Sequence, residues 1–198
     1  AFSFHETKNI NSGEGGLLAI NDDRFIKRSE IIWEKGTNRA EFFRGEVNKY
    51  GWCDTGSSFL PSEIIAAYLW AQLENINEIQ KKRIALWEKY YNGLEGWADG
   101  NIKSLPVIPK YATNNGHLFY LVSRSTDQRE NLINRLKENG VHAVFHYLSL
   151  HNSQYYKNLH DGRELPNADF FSENLVRLPL FFELTEDDAD MIISLIKG

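Results

Sequence analysis

Apolar and polar positions along this chain follow two periods, and the switches between them mark its elements. Residues 1–4 alternate like the end of a strand, and Gly15-Gly16-Leu17-Leu18-Ala19-Ile20 reads as a second strand. The polar segment HETKNINSGEG between them is a loop whose glycines fit tight backbone geometry. Asp22-Asp23 is the start signal of a helix predicted to run to Lys35, with Gly36 as its stop. Residues 36–58 follow no clear period and are rich in Gly, Asn, Arg and aromatics. So long an irregular segment points to a binding loop.

Pro61 and Ser62 open the longest helical pattern. Ile64, Ile65, Tyr68, Leu69, Leu73, Ile76 and Ile79 recur at helical spacing, and Trp87, Tyr90, Tyr91 and Leu94 carry the pattern on to Gly96. A single straight helix of that span would be about 50 Å long. The pattern therefore predicts a bend or break, in a helix that bridges two domains. Beyond a Pro-marked linker, residues 116–124 read as a strand, 127–139 as an amphipathic helix ended by Gly140, and 141–148 as another strand. A short helix near 168–175, the strand Leu175–Phe181 and a last helix over 186–197 complete the pattern, with Thr185 and Asp188 as a capping box. Strand alternating with helix implies an α/β domain over roughly 100–198.

Composition narrows the class. Hydrophobic residues make up 42% of the 198, enough to bury a core for one domain or one and a fraction. The 12 Phe, 9 Tyr and 5 Trp argue against disorder. A net charge of −5 without a basic block gives no reason to expect nucleic acid or an anionic membrane as partner. The single cysteine, Cys53, excludes an internal disulfide and fits a reducing cytoplasm. No apolar stretch approaches the ~20 residues of a membrane span. The opening residues AFSFHETK lack the basic and apolar regions of a signal peptide. With no initiator methionine and an apolar, strand-like start, they read as a cut edge.

Among residues able to carry chemistry, Lys8 stands out by its surroundings. A lone loop lysine is ordinarily a solvated charge, but this one follows an apolar strand and precedes Gly13-Glu14-Gly15-Gly16. A strand end delivers a side chain into a cleft, and glycines let backbone approach a ligand closely. Schiff-base chemistry requires a neutral amine, which partial burial favours. Gly56-Ser57-Ser58-Phe59-Leu60-Pro61-Ser62 is a second candidate. Small hydroxyl residues before a helix are usually caps, yet a helix N-terminus also suits a phosphate. In the loop Gly36-Thr37-Asn38-Arg39 with Arg44, Lys49, Tyr50 and Trp52, cations interleave with aromatics. That loop reads equally as a clamp for a pyrophosphate and a sugar or base, or as a solvated loop at an interface. His142, His146 and His151 lie near one another, but on a strand and its exit, with no cysteine nearby and no zinc spacing, so no metal is expected.

The strings SFHETKNINSGEGG, EKGTNRAEFFRGEVNKYGWCDTGSSFLPSEIIAAYLWAQLE and FHYLSLH closely resemble the DegT/DnrJ/EryC1/StrS aminotransferases, and the likeness covers essentially the whole chain. Within that family they look most like the branch that makes dTDP-4-amino-4,6-dideoxygalactose from dTDP-4-keto-6-deoxyglucose. The resemblance implies a fold type I α/β enzyme dependent on pyridoxal 5′-phosphate (PLP). Residues 1–95 would be the end of the PLP-binding large domain with a long linking helix, and 96–198 the small C-terminal α/β domain. It also implies an N-terminal half outside this chain, with the aspartate facing the pyridine nitrogen, the ring-stacking residue and much of the phosphate cup. The lysine at the position of Lys8 is the family's Schiff-base lysine, which moves the proton at the donor Cα. Relatives place an Asn near Leu60 that reaches the cofactor phosphate of the neighbouring subunit. Leu60 departs from that pattern, so the role passes to Ser57 and Ser58 and implies a homodimer with shared active sites. The HY-x-x-LH segment lies near the nucleotide-sugar pocket, which makes His146, Tyr147 and His151 substrate-side candidates beside Asn38, Arg39, Lys49 and Tyr50.

The leading expectation is transfer of an amino group, with glutamate as donor, to C4 of a dTDP-linked 4-keto-6-deoxyhexose in surface-glycan biosynthesis. The same features accommodate a C3 aminotransferase of the family, or a non-catalytic binding module or inert fragment lacking half the cofactor site. A dehydratase relative would carry His in place of Lys8.

Overall fold

A computed structural model describes residues 1–198. Its contacts divide the chain into one unit over Ala1–Ile76 and a second over Asn77–Gly198. Mixed strands and helices give the α/β class expected from the sequence.

In the first unit, β1 (Phe2–Ser3) and β2 (Gly16–Leu17) pair antiparallel, with Phe2 opposite Leu17. The strands are shorter than the alternation suggested, because Leu18–Ile20 find no partner strand. Asp22 caps the next helix by accepting from the Arg24 amide at 3.0 Å. The first turn, Asp23–Phe25, is 3₁₀, and α1 (Ile26–Trp33) follows. α1 ends where the chain turns left-handed, at Lys35 (φ 64°) and Gly36 (φ 78°). Only glycine fits the second position, because a Cβ there would run into the Asp54 carbonyl. The aperiodic segment 36–58 proves to hold a short helix, α2 (Arg39–Phe43). The rest of the segment folds back on the α1 terminus: the Cys53 and Asp54 amides donate to the Gly36 carbonyl at 2.7 and 3.1 Å. Ser62 then caps α3 (Glu63–Glu74), accepting from the Ile65 amide at 3.3 Å.

The long helical pattern does break. Asn75 leaves helical geometry, and its side chain donates back to the Ala71 carbonyl at 2.8 Å. The second unit takes in α4 (Ile76–Asn101) from its second residue on, and the regular helix stops before Asp99. It continues with β3 (Phe119–Val122), α5 (Thr126–Glu138), β4 (Val144–Phe145), α6 (Pro166–Asn174), β5 (Leu175–Leu178) and α7 (Glu186–Lys197). β5 is the central strand of an antiparallel sheet in the order β3-β5-β4. Alternation sends Val176 and Leu178 into the core and Arg177 to the other face.

The core of this unit joins Leu86, Tyr90 and Leu94 of α4 to Phe119 and Leu121 of β3, Leu136 of α5, and Ile192 and Ile196 of α7. Trp87 stacks on Tyr91 and meets Phe119 edge-on, with 5.4 Å between centroids in each pair. α4 and α7 approach closely at Gly93, where a Cβ would stand 2.6 Å from Ile193 Cδ1. Thr185 and Asp188 form the expected reciprocal cap of α7. The strand expected over 141–148 is confined to Val144–Phe145, because β5 offers partners only at Arg177 and Val176. No helix is long and apolar enough to cross a membrane.

Candidate functional site

The loop that carries Lys8 is closed by its own backbone. Phe4 donates to the Gly15 carbonyl at 2.9 Å and Ser12 to the Phe4 carbonyl at 2.8 Å, so residues 4–15 form a compact ring at the end of the β1–β2 pair. Within it the Lys8 amide donates to the His5 carbonyl at 2.9 Å, turning the chain at the lysine. The His5 ring contacts Thr7 Oγ1 at 3.1 Å and Glu14 at 3.5 Å, which engages one of the two acidic residues of the loop. Lys8 is half-buried, and no carboxylate or other acceptor engages its amine. A partly shielded amine without an ion pair is what condensation with an aldehyde needs.

Beside this loop lies a cleft of about 460 Å³. Phe4, Ser12 and Gly15 form one wall, Ser58 to Pro61 another, and Ile65, Leu69 and Leu73 of α3 the floor. Ser58 is thereby brought to the loop of Lys8, whereas Lys8 and Ser57 themselves are not on the cleft wall. Ser57 is held by its backbone, donating to the Ile32 carbonyl at 3.0 Å and accepting from the Lys35 amide at 3.1 Å, and its hydroxyl has no partner. The expected helix N-terminus is not theirs: Ser62 caps α3, whereas Ser57 and Ser58 lie five and four residues earlier, against the carbonyl end of α1. Their free hydroxyls and the unpaired amine of Lys8 are side-chain groups able to meet a phosphate and an aldehyde.

The segment 38–52 is more structural than its sequence suggested. The Asn38 side chain is engaged within its own segment: Oδ1 accepts from the Gly51 amide at 2.9 Å, and Nδ2 donates to Glu41 at 3.2 Å. Arg39 donates to Glu34 at 3.3 Å and lies over the Phe43 ring at 4.8 Å. Arg44 is held between Glu30 and Glu46. Lys49 is exposed without an ion pair, and Tyr50, also exposed, tilts against Phe42 at 5.6 Å.

In the second unit, His146 and Tyr147 lie just past β4, rings edge to face at 5.3 Å. Burial, and then the neighbouring charge of Arg177, hold the His146 imidazole below its ordinary value. His151 belongs to a separate group nearby in the chain, in which its Nε2 meets the Asp169 carboxylate at 3.2 Å and its ring faces that of His160 at 5.3 Å. Asp169 also accepts from Asn152 at 2.7 Å. His142 is exposed. Two residues beside these candidates escaped the sequence reading, Asp169 and Arg177. The available signal for Arg177 was a charge set in the apolar strand Leu175-Val176-Arg177-Leu178. Nothing local marks Asp169, which is 18 positions from His151.

The model of the DegT/DnrJ/EryC1/StrS aminotransferase family matches residues 1–197. Among solved structures, the chain superposes on the aminotransferase TlmJ from Streptoalloteichus hindustanus with a TM-score of 0.82 and 22% identity, over 98% of this chain and 50% of that one. The apo form of Spr1654 from Streptococcus pneumoniae gives a TM-score of 0.80 and 25% identity, over 99% of this chain and 50% of that one. That protein is also known in PLP and PMP forms. DesV from S. venezuelae gives a TM-score of 0.83 and 24% identity, again over 99% and 50%. The chain thus spans about half the length of the structures it matches.

Proposed function

Because the chain belongs to the DegT/DnrJ/EryC1/StrS aminotransferase family, whose enzymes depend on PLP, we propose that it is part of a sugar-nucleotide aminotransferase with Lys8 as the cofactor-bearing lysine. The observation that carries the reading is the family match over residues 1–197 together with a half-buried Lys8 whose amine no carboxylate engages. When bound, PLP supplies an electron sink for the electrons released at the donor Cα. Lys8 would hold the cofactor aldehyde through its amine, and that amine would serve as the general base and acid that moves the proton off the donor Cα. The closed ring of residues 4–15 fixes where that amine stands. Ser57 and Ser58, through their hydroxyls, are assigned to the cofactor phosphate.

We take the acceptor to be a dTDP-linked 4-keto-6-deoxyhexose and the donor glutamate, giving a 4-amino-4,6-dideoxyhexose such as dTDP-4-amino-4,6-dideoxygalactose. Arg39, Lys49 and Tyr50 are assigned to the nucleotide sugar, with Asn38 holding their loop in shape, and His146, Tyr147 and His151 complete the substrate side. For the whole enzyme, residues 1–95 belong to the end of the large domain and its linking helix, and 96–198 to the small domain. Each active site draws on both chains of a homodimer, so sedimentation showing a fully active monomer would contradict this arrangement.

The test uses the full-length enzyme. Borohydride reduction after PLP addition should fix the cofactor mass on the Lys8 peptide, and Lys8→Ala should abolish both that adduct and transamination while leaving the fold intact. Lys8→Ala activity within about tenfold of the parent would sink the assignment, since loss of a proton-transfer group costs about 10²–10⁴ in rate. Mass and NMR analysis of the aminosugar separates C4 from C3 attack. A protein that neither binds PLP nor turns over would leave only a binding module.

A further inference from the structure

Arg177 is flanked on the core-averted face of the sheet by Tyr120 of β3 and Val144 of β4, its pairing partners. Its guanidinium carbon stands 5.8 Å from the centre of the Tyr147 ring, which in turn meets the His146 ring. The Ser172 hydroxyl of α6 donates to the Tyr147 carbonyl at 3.0 Å and fixes the backbone there.

The chain has ten arginines. Six reach a carboxylate, and Arg83, Arg124 and Arg135 donate to backbone carbonyls. Arg177 alone has neither, although it is half-buried and its Nε is out of contact with solvent. His146 Nδ1 is likewise buried without a partner. Withdrawing a guanidinium from water without a counter-charge is costly, and a ring contact near 6 Å returns only part of that cost. Burial, and then the Arg177 charge, hold the His146 imidazole below its ordinary value, whereas the guanidinium keeps its charge. A guanidinium fork beside a phenol and an imidazole matches a carboxylate or phosphoryl group in both charge and geometry.

We infer that Arg177, with His146 and Tyr147, forms an oxyanion subsite on the outer face of the sheet. Naming the ligand rests on the aminotransferase reading: the oxyanion is either the α-carboxylate of the amino donor or the diphosphate of the nucleotide sugar.

The test compares the full-length protein with Arg177→Met and Arg177→Lys by calorimetric titration with inorganic pyrophosphate and with glutarate, a dicarboxylate that cannot donate an amine. KM for each substrate is measured in parallel. Losing a charge-assisted pair should weaken one probe on the order of 10- to 100-fold in Arg177→Met, with partial recovery in Arg177→Lys. The matching KM should rise. Weakened pyrophosphate binding assigns the subsite to the diphosphate, and weakened glutarate binding assigns it to the donor. If Arg177→Met does not fold, Arg177→Gln takes its place. A parent that binds neither probe, or variants that bind both within about twofold of the parent, overturn the inference, as does a loss of stability without a loss of affinity. Arg177-dependent binding in a protein that catalyses no transamination keeps the subsite and rejects the aminotransferase reading.

Discussion

Tyr90 ties α4 to the segment after β5 in a way that predicts a pH-dependent mutant phenotype. The residue is fully buried, and its hydroxyl donates to the Pro179 carbonyl at 3.0 Å, across 89 positions of chain. Tyr90→Phe keeps the ring in its place against Phe119 but leaves the Pro179 carbonyl without this donor. At neutral pH that should cost about 1–2 kcal/mol, the usual price of one buried acceptor left unpaired. Burial, reinforced by the Asp188 charge, pushes the Tyr90 phenol above its ordinary value. A group whose folded pKa is raised stabilises the fold fully below its unfolded pKa, near 10 for a phenol, and loses that contribution as pH climbs toward the folded value. Between those two values the parent should lose up to about 1.4 kcal/mol of stability per pH unit through this phenol. The Phe variant, with nothing to ionise, is spared this loss. The gap between parent and variant should therefore hold from pH 7 to about 9, shrink as pH passes about 10, and vanish near pH 11. Urea unfolding at pH 7, 9, 10 and 11, followed by tryptophan fluorescence, measures it directly. A gap that stays constant or widens over that range would refute the buried, hydrogen-bonded Tyr90.

Gly36→Ala should destabilise the loop 36–58, because left-handed geometry alone costs an alanine about 1–2 kcal/mol and the new Cβ meets the Asp54 carbonyl; limited proteolysis should show earlier cleavage in that loop. Asp169, whose carboxyl is held below its usual range by Ser149, then His151 and Asn152, contributes stability that is present above the ordinary carboxylate value and lost as pH falls. Asp169→Asn should flatten that acid-side loss in a pH-resolved unfolding series. Residues 1–76 bury only Ile10 among their large apolar side chains, while Phe2, Leu18, Trp52 and Ile64 stay exposed. In this chain alone, amides of 1–60 should accordingly exchange faster with deuterium than those of 116–197, and equal protection would contradict the expectation.

What could be read from the sequence was whatever its neighbours in the chain decide. The caps Asp22, Ser62 and Thr185–Asp188 and the stop at Gly140 act over two to four residues, so their side chains alone mark the helix ends. The length of the apolar pattern from Ile64 to Leu94 forced a break somewhere, and Asn75, which bonds its own preceding turn, supplies it. Lys8 stood out as a candidate because a motif of consecutive residues surrounds it. Long-range partners were not. Asn38 looked like a ligand residue until Gly51 closed on its amide, and 141–148 looked like a full strand until β5 offered partners for only two of its residues. The meaning of Arg177 is tertiary in the strictest sense. Its side chain is set by strand alternation, but that it alone among the arginines lacks an acceptor depends on where the nine others found theirs. Local geometry is encoded in adjacent side chains, whereas charge compensation is a property of the folded surface, and there the sequence falls silent.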